Sequence, residues 1–266
     1  MSTEDNLVVT IDGAVATLRL NRPTVGNSLD VALARALMEA AIRVDEDPAI
    51  RAVVLTGTGR FFCAGGDVGA FAGAGAAAPG LIKEITGYLH SAIARLSRMP
   101  KPLVTAVNGP AAGAGFSLAI LGDIAIGARS AHYTLAYTAI GLTPDGGSTW
   151  LLPRLVGLRR AQELALTNRR VSADEAVAMG LISRVVDDAE LLESAQTTAA
   201  ELARGATGAL GQTRRLLLSS FGSTLETQME EESRSIADAM RSAHGQEGVK
   251  AFVEKRKSEG GAPTDF

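Results

Sequence analysis

The segment Phe61-Phe62-Cys63-Ala64-Gly65-Gly66-Asp67 decides how this chain is interpreted, and it follows a predicted buried strand at residues 51–56. A second segment, Asn108-Gly109-Pro110-Ala111-Ala112-Gly113-Ala114-Gly115-Phe116, follows an apolar strand at 103–107 and opens an apolar helix predicted to end at residue 121. Small residues let a ligand approach the backbone closely, and free N–H groups at a helix start favour developing negative charge. Two such turns together could polarise a carbonyl group and stabilise an enolate.

Each turn also has an ordinary structural explanation, because glycine-rich turns commonly reverse the chain after a strand. The second turn partly matches a dinucleotide-binding loop, but Gly113-Ala114-Gly115-Phe116-Ser117-Leu118 lacks the third glycine of that motif. Asp123 comes too early to be the acidic residue that binds a ribose. The sequence also has no P-loop motif, so it does not favour a nucleotide site of either kind.

The pattern outside the two turns predicts an α/β fold. Two alternating runs flank Asp12-Gly13 and predict a hairpin, and Asp30 is the predicted N-cap of the first helix. Strands alternate with helices between residues 50 and 130, which indicates a largely parallel sheet. The glycine- and alanine-rich residues 65–80 predict a mobile loop, which precedes a helix at 81–98.

The last part of the chain has a different pattern and is almost entirely helical. The helices are predicted at residues 189–204, 207–219, 225–243 and 248–257. We therefore predict two parts, a core at residues 1–195 and a C-terminal helical region at residues 196–266.

The composition excludes several classes of function. The chain has 266 residues and a formal charge of −3, so no basic field favours nucleic acid or an acidic membrane surface. Aromatic residues make up only 4% of the sequence, too few for base-stacking platforms. Cys63 is the only cysteine and the three histidines lack metal-ligand spacing, so no metal site is expected. With neither a signal pattern nor a long apolar run, we expect a cytoplasmic protein without membrane contact.

Taken together, the two turns resemble the signature of the enoyl-CoA hydratase/isomerase (crotonase) family. The matching segments are residues 61–67, 101–115, 141–147, 152–157, 172–182 and 248–256. The resemblance implies a spiral of ββα units with a C-terminal helical region that drives assembly into homotrimers or hexamers. It also implies an acyl-CoA thioester as the ligand, with no cofactor beyond the coenzyme A carried by the substrate. The two oxyanion-hole N–H groups map to Gly66 and Ala114.

Two positions depart from the pattern of the family's hydratases. Those enzymes carry one glutamate just after the second turn and another in the stretch 133–141, where this chain has Ser117 and Tyr137. Hydration needs a pair of carboxylates to activate water and to protonate carbon. A serine hydroxyl cannot replace a carboxylate near neutral pH, and tyrosine has an unperturbed pKa of about 10. The sequence therefore argues against the usual hydration mechanism.

One carboxylate, Asp145 in Pro144-Asp145-Gly146-Gly147, lies where a branch of the family carries its working acid. That branch includes the ring-1,2-epoxyphenylacetyl-CoA isomerases and the dienoyl-CoA isomerases, and the resemblance to the former is pronounced at residues 141–154. A lone carboxylate suits a proton shuttle that moves a double bond. The alternative is that Asp145 only caps a helix that starts at Gly146.

A hydrolytic alternative uses the same aspartate as a nucleophile. The 4-chlorobenzoyl-CoA dehalogenase branch has an aspartate at the position of Asp145, a histidine where His90 lies, and a tryptophan where Tyr137 lies. A carboxylate nucleophile with a histidine base is a coherent set for hydrolysis. That branch has asparagine instead of proline before the aspartate. A hydratase and an acyl-CoA-binding protein without catalysis remain further alternatives.

The residues assigned to substrate binding by resemblance are more widely spread. They are Arg22, Val25, Asn27, Ala64, Gly66, Asp67, Val68, Phe252 and Lys255. Phe252 and Lys255 are expected to reach the coenzyme A of a neighbouring subunit. Asp67 has the competing interpretation that it fixes its own loop, and Cys63 is interpreted as a small buried residue.

Overall fold

The hairpin at the start of the chain forms because Gly13 supplies the positive φ, +53°, that its tight turn needs. The computed structural model describes residues 6–256. Its strands are β1 (Leu7–Asp12), β2 (Val15–Leu20), β3 (Ala52–Gly57), β4 (Leu103–Val107), β5 (Ala111–Ala112), β6 (Ile124–Ala128), β7 (His132–Thr134), β8 (Val171–Ser172) and β9 (Arg184–Val186). They form a six-stranded sheet, β1-β2-β3-β4-β6-β9, and a three-stranded sheet, β5-β7-β8.

The larger sheet is parallel except for the first hairpin, as the sequence predicts. Every residue of β3 and β4 is buried, which is typical of central parallel strands covered on both faces. The carboxyl ends of β3 and β4 lead into the two glycine-rich turns. Because neighbouring parallel strands end at the same edge of a sheet, the two turns emerge side by side.

Helices surround the sheets. They are α1 (Val31–Glu46), α2 (Val68–Ala74), α3 (Ala78–Arg98), α4 (Ala114–Ala119), α5 (Ser148–Val156), α6 (Leu158–Thr167), α7 (Ala173–Ala178), α8 (Leu191–Arg204), α9 (Thr207–Ser219), α10 (Leu225–Arg241) and α11 (Ala243–Val253). In this α/β arrangement α1 packs along α3, while α8 lies across β2, β3, β4 and β6. No helix in the described part of the chain is both long and apolar enough to cross a membrane.

The helix α8 packs closely on the sheet through a stripe of small side chains. Ala195, Ala199 and Ala203 are buried at helical spacing, and alanine lets the helix axis approach the strands. Residue 195, where we placed the boundary between core and C-terminal region, lies inside this helix. The division itself stays a prediction.

The prediction of a mobile loop at residues 65–80 is wrong, because most of this segment is helical. Asp67 caps α2 by accepting a hydrogen bond from the Ala70 N–H at 3.1 Å. Alanine has the highest helix propensity, and Pro79 stands in the first turn of α3, where proline is well tolerated. The glycines that indicated a loop are thus outweighed by a cap and an alanine-rich composition.

The predicted C-terminal helices are all present, with shifted ends. The last one begins at Ala243, where Ser242 caps it, and ends at Val253. The predicted end at residue 257 lies outside the described residues. Similarly, the helix after the second turn ends at Ala119 instead of residue 121.

The helix α9 is fixed to the core by one buried cation, Arg214, which is 8% exposed. Its guanidinium donates to the carbonyls of Met99, of Lys101 at 2.5 Å and of Leu96 at 3.1 Å. Its Nε also lies 2.7 Å from an oxygen of Asp123. A buried charge is tolerated only when it is paired and hydrogen-bonded in this way.

We expect Arg214→Ala to lower the free energy of unfolding by about 3–5 kcal/mol, because it leaves a carboxylate and three carbonyls without their partner. Denaturant titration measures this loss. The matched control is Arg215→Ala, which removes the same kind of side chain from an exposed neighbouring position and should change stability by less than about 0.5 kcal/mol. Equal losses in the two variants would show that Arg214 does not anchor the helix.

Candidate active site

The two glycine-rich turns are joined directly by backbone hydrogen bonds. The N–H of Cys63 donates to the carbonyl of Pro110 at 3.3 Å, and the N–H of Ala112 donates to the carbonyl of Cys63 at 2.9 Å. Cys63 and Ala111 thereby form a parallel bridge between the turns. The pairing predicted from two separate sequence motifs is therefore present as a single structural unit.

Glycine is required at this junction because the two backbones nearly touch. A Cβ atom at Gly65, where φ is +103°, would lie 2.9 Å from the carbonyl oxygen of Ala112. A Cβ at Gly115 would lie 2.1 Å from the carbonyl oxygen of Cys63. Contacts this short exclude any side chain, so these glycines set the distance between the turns.

The N–H groups of Gly66 and Ala114 remain available for a ligand. Leu29 bridges the first turn by donating to the Gly65 carbonyl and accepting from the Asp67 N–H, so the N–H of Gly66 points to the opposite side. Ala114 is the first residue of α4, where backbone N–H groups lack helical partners. Within residues 6–256, neither N–H donates to a protein acceptor. This is the arrangement that an oxyanion hole requires.

Both turns open onto a cavity of about 380 Å³. Its walls are mostly apolar, and they are formed by Leu29, Ala64, Gly65, Gly66, Val68, Phe71, Ile82, Ile85, Thr86, Leu89, Gly113, Ala114, Ala136, Tyr137, Ile140, Leu142, Thr143, Pro144 and Asp145. Asp145 is the only carboxylate among these described lining residues. Predicted oxyanion donors and the predicted acid therefore face the same space.

The carboxylate of Asp145 is held by Tyr137, whose Oη donates to Oδ1 at 2.5 Å. Burial raises the pKa of the Tyr137 phenol well above its usual value, and the nearby Asp145 charge raises it further. The phenol therefore stays protonated at neutral pH and acts as a hydrogen-bond donor. Tyr137 cannot serve as the second base that hydration would need.

Ser117 holds the backbone of the Asp145 turn and does not line the cavity. It is 1% exposed, and its hydroxyl donates to the Asp145 carbonyl at 2.9 Å. Ser148 donates to the same carbonyl at 2.9 Å. Gly146 has a φ of +62°, and a Cβ there would lie 2.8 Å from the Ser117 Cβ. A small residue at position 117 and glycine at 146 together define the path of this turn.

The alternative in which Asp145 caps a helix is wrong. The helix α5 begins at Ser148, and Gly147 is its N-cap without a side-chain bond. The Asp145 carboxylate instead contacts Tyr137 and His90. The Asp145 carboxylate therefore makes no cap bond to α5, and it lines the cavity.

His90 lies beside Asp145 but outside the cavity lining. Its Nε2 is 3.5 Å from Asp145 Oδ2, and it accepts a hydrogen bond from the Gly146 N–H at 3.1 Å. The lone pair of Nε2 is thereby directed at the backbone of the Asp145 turn. The ring is half exposed on α3, and it contacts the Asp145 turn through the Gly146 N–H without lining the cavity.

The polar residues expected to bind coenzyme A mainly stabilise the first turn. Arg22 pairs with Asp67 at 3.2 Å and with Asp30 at 3.1 Å. Asn27 is fully buried, with a φ of +56°, and its amide donates to the carbonyl of Phe61 at 2.7 Å. The interpretation that Asp67 fixes its own loop is confirmed by its cap and its ion pair.

The other residues expected to bind substrate differ in position. Ala64 and Val68 line the cavity, whereas Val25 is exposed and is not among the lining residues. Phe252 and Lys255 are exposed at the end of α11 and do not line this cavity. Their expected contact with a neighbouring subunit stays a prediction.

Sequence reasoning missed the apolar wall of the cavity. Ile82, Ile85 and Leu89 form one stripe of α3, and their spacing of three and four residues was the available signal. Phe71, on α2, had no such signal because its segment was predicted to be a loop. Cys63 is buried as predicted, and burial raises the pKa of its thiol to about 12, so it is not a thiolate nucleophile at neutral pH.

The sequence and the structure were compared with those of known proteins. The sequence model of the family described as enoyl-CoA hydratase/isomerase matches residues 10–260. The chain is 42% identical to 1,2-epoxyphenylacetyl-CoA isomerase of Escherichia coli (strain K12), over 92% of this chain and 94% of that protein. It is 32% identical to 4-chlorobenzoyl coenzyme A dehalogenase-2 of an Arthrobacter species, over 96% of this chain and 92% of that protein.

Among solved structures, an enoyl-CoA hydratase from Polaromonas sp. JS666 superposes with a TM-score of 0.91 at 33% identity, covering 95% of this chain and 98% of that chain. The crotonase-type fold expected from the resemblance is thus confirmed. The family acts on acyl-CoA thioesters. With matches that span nearly its whole length, this chain belongs to the enoyl-CoA hydratase/isomerase family.

Proposed function

We propose that the protein is an acyl-CoA double-bond isomerase in which Asp145 moves the proton. The observation that carries this proposal is that Asp145 is the one carboxylate among the described residues lining a cavity that two free N–H groups also face. Isomerisation needs one group that both removes and returns a proton. The 42% identity of this chain to an isomerase also supports isomerisation.

In the proposed reaction, the thioester oxygen accepts hydrogen bonds from the N–H groups of Gly66 and Ala114. Asp145 removes a proton from the α-carbon, so the C–H electron pair moves into the enolate and the carboxylate becomes a carboxylic acid. The acid then returns its proton to the γ-carbon, and the double bond comes to lie next to the carbonyl. The two N–H groups act where negative charge develops, and they need no reorganisation during the reaction.

The contacts of Asp145 fit this role. The Tyr137 hydroxyl fixes one carboxylate oxygen at 2.5 Å, which restricts rotation of the group. The apolar lining from α3 limits water around the enolate, and such exclusion strengthens the electrostatic effect of the N–H groups. Hydration has less support, because Ser117 is buried under the turn and Tyr137 is a protonated donor.

A second candidate is hydrolysis with Asp145 as nucleophile and His90 as base. Its support is the 3.5 Å approach of His90 Nε2 to Asp145 Oδ2 and the similarity to a dehalogenase. Against it, the Nε2 lone pair already accepts the Gly146 N–H, so it is not free to take a proton from water. Transfer of ¹⁸O from labelled water into Asp145 during a single turnover is the specific mark of this chemistry, whereas isomerisation leaves the carboxylate unlabelled.

We expect the wild-type protein to convert a β,γ-unsaturated acyl-CoA into its conjugated isomer, while Asp145→Asn does not, because an amide cannot accept the proton. Growth of the enoyl-thioester absorbance in the ultraviolet measures the reaction. A matched control is Glu84→Gln, which alters an exposed carboxylate on α3 outside the cavity lining and should retain conversion. Conversion by Asp145→Asn at the wild-type rate would refute the proton shuttle.

We also expect Ala114→Pro to lower kcat by about 10²–10³-fold, since proline removes the backbone N–H of one oxyanion donor. Ala114 is the first residue of α4, a position where proline is well tolerated, so the helix should persist. Ala114→Ser is the control, because it keeps the N–H with a side chain of similar size. Steady-state kinetics on both variants, with folding checked by circular dichroism, give the result. A folded Ala114→Pro protein with wild-type kcat would exclude this donor.

A further inference from the structure

The helix α2 contributes one large side chain to the candidate site. Its sequence is Val-Gly-Ala-Phe-Ala-Gly-Ala, so Phe71 is the only aromatic residue between the first turn and α3. All its neighbours in the helix are small except Val68, which is half exposed. Any restriction that this segment imposes on a ligand therefore comes largely from Phe71.

The Phe71 ring lies directly against the first oxyanion residue. A Cβ atom at Gly66 would be only 2.7 Å from the ring Cζ and 2.9 Å from Cε2. Phe71 also lines the cavity that the Gly66 N–H faces. A group bonded to a carbonyl carbon held at Gly66 must therefore pass close to this ring.

The backbone that carries the ring is tied to Asp67 at the start of α2. The Phe71 N–H donates to the Asp67 carbonyl at 3.1 Å, and the Asp67 side chain caps the helix at the Ala70 N–H. Arg22 pairs with the same Asp67 carboxylate at 3.2 Å. These contacts link the backbone position of Phe71 to the turn that carries Gly66, so the helix that carries the ring is fixed relative to that turn.

The wall of α3 in the same cavity is apolar. Ile82, Ile85 and Leu89 present hydrocarbon, and Thr86 donates its hydroxyl to the Ile82 carbonyl of its own helix at 2.9 Å. An acyl group confined by Phe71 next to its carbonyl can thus extend only as an uncharged chain along this wall.

We propose that Phe71 is a specificity-determining residue that selects acyl groups unbranched at the carbon next to the thioester carbonyl. This inference rests on the proposed function, because it requires the thioester oxygen to bind at Gly66. Branching at that carbon puts methyl groups where the ring stands, and steric overlap in a packed site is costly. Straight acyl groups avoid the ring and reach the apolar wall.

The test compares two isomeric, saturated thioesters, pentanoyl-CoA and 2,2-dimethylpropanoyl-CoA, which have the same charge and atom count and differ only in branching. Wild-type protein should bind the straight isomer at least about tenfold more tightly, as judged by dissociation constants from calorimetry. In Phe71→Ala this ratio should fall towards one. Phe71→Leu keeps an apolar side chain in the helix, and its intermediate ratio provides the answer if the alanine variant fails to fold.

The matched control is Leu142→Ala, which removes an apolar side chain from another part of the cavity lining. It should weaken binding of both isomers and leave their ratio unchanged. The inference is overturned if wild type binds both isomers equally, if Phe71 variants keep the wild-type ratio, or if Leu142→Ala relaxes it as much. Failure of wild type to bind either thioester would instead contradict the proposed function, which distinguishes the two failures.

Discussion

The close approach of two backbone turns is the constraint on which the rest of the site depends. The carbonyl of Cys63 accepts a hydrogen bond from the Ala112 N–H. At Gly65 and Gly115 the two turns lie so close together that no side chain would fit between them. This approach places Gly66 and Ala114 together in the lining of one cavity. Parallel strands β3 and β4 make it possible, because both end at the same edge of the sheet. The buried Asn27 amide and the Arg22–Asp67 pair then hold the first turn in shape.

The second feature of the site is that a single carboxylate stands where a pair would be needed for hydration. Tyr137 and Ser117 occupy the two positions that the family resemblance assigns to glutamates, and both instead support Asp145. Tyr137 bonds its carboxylate, and Ser117 bonds its carbonyl. The same framework of turns can thus support a different proton chemistry when the residues around it change. A fold-level comparison alone would not distinguish these chemistries.

The sequence predicted the parts of the structure that depend on local pattern. We could predict the strands before each turn, the helix capped by Asp30 and the paired turns. These features depend on the order of apolar residues and glycines within short segments of the chain. The prediction of a loop at 65–80 was wrong. The hydrogen bond from the Ala70 N–H to the Asp67 side chain stabilises a helix there, and the glycines of the segment give no sign of this bond. Contacts between distant residues, such as His90 with Gly146 and Phe71 against Gly66, have no local signal and required the tertiary structure.

In the proposed mechanism, Asp145 removes an α-proton while the two turns hold the resulting enolate. The most direct measurement is exchange of the α-hydrogens of a saturated acyl-CoA in D₂O, followed by proton NMR, because it reports this step without the later one. Wild-type protein is expected to catalyse loss of the α-proton signal, and Asp145→Asn is not. Exchange that continues unchanged in Asp145→Asn would contradict this mechanism, since some other group would then be the base.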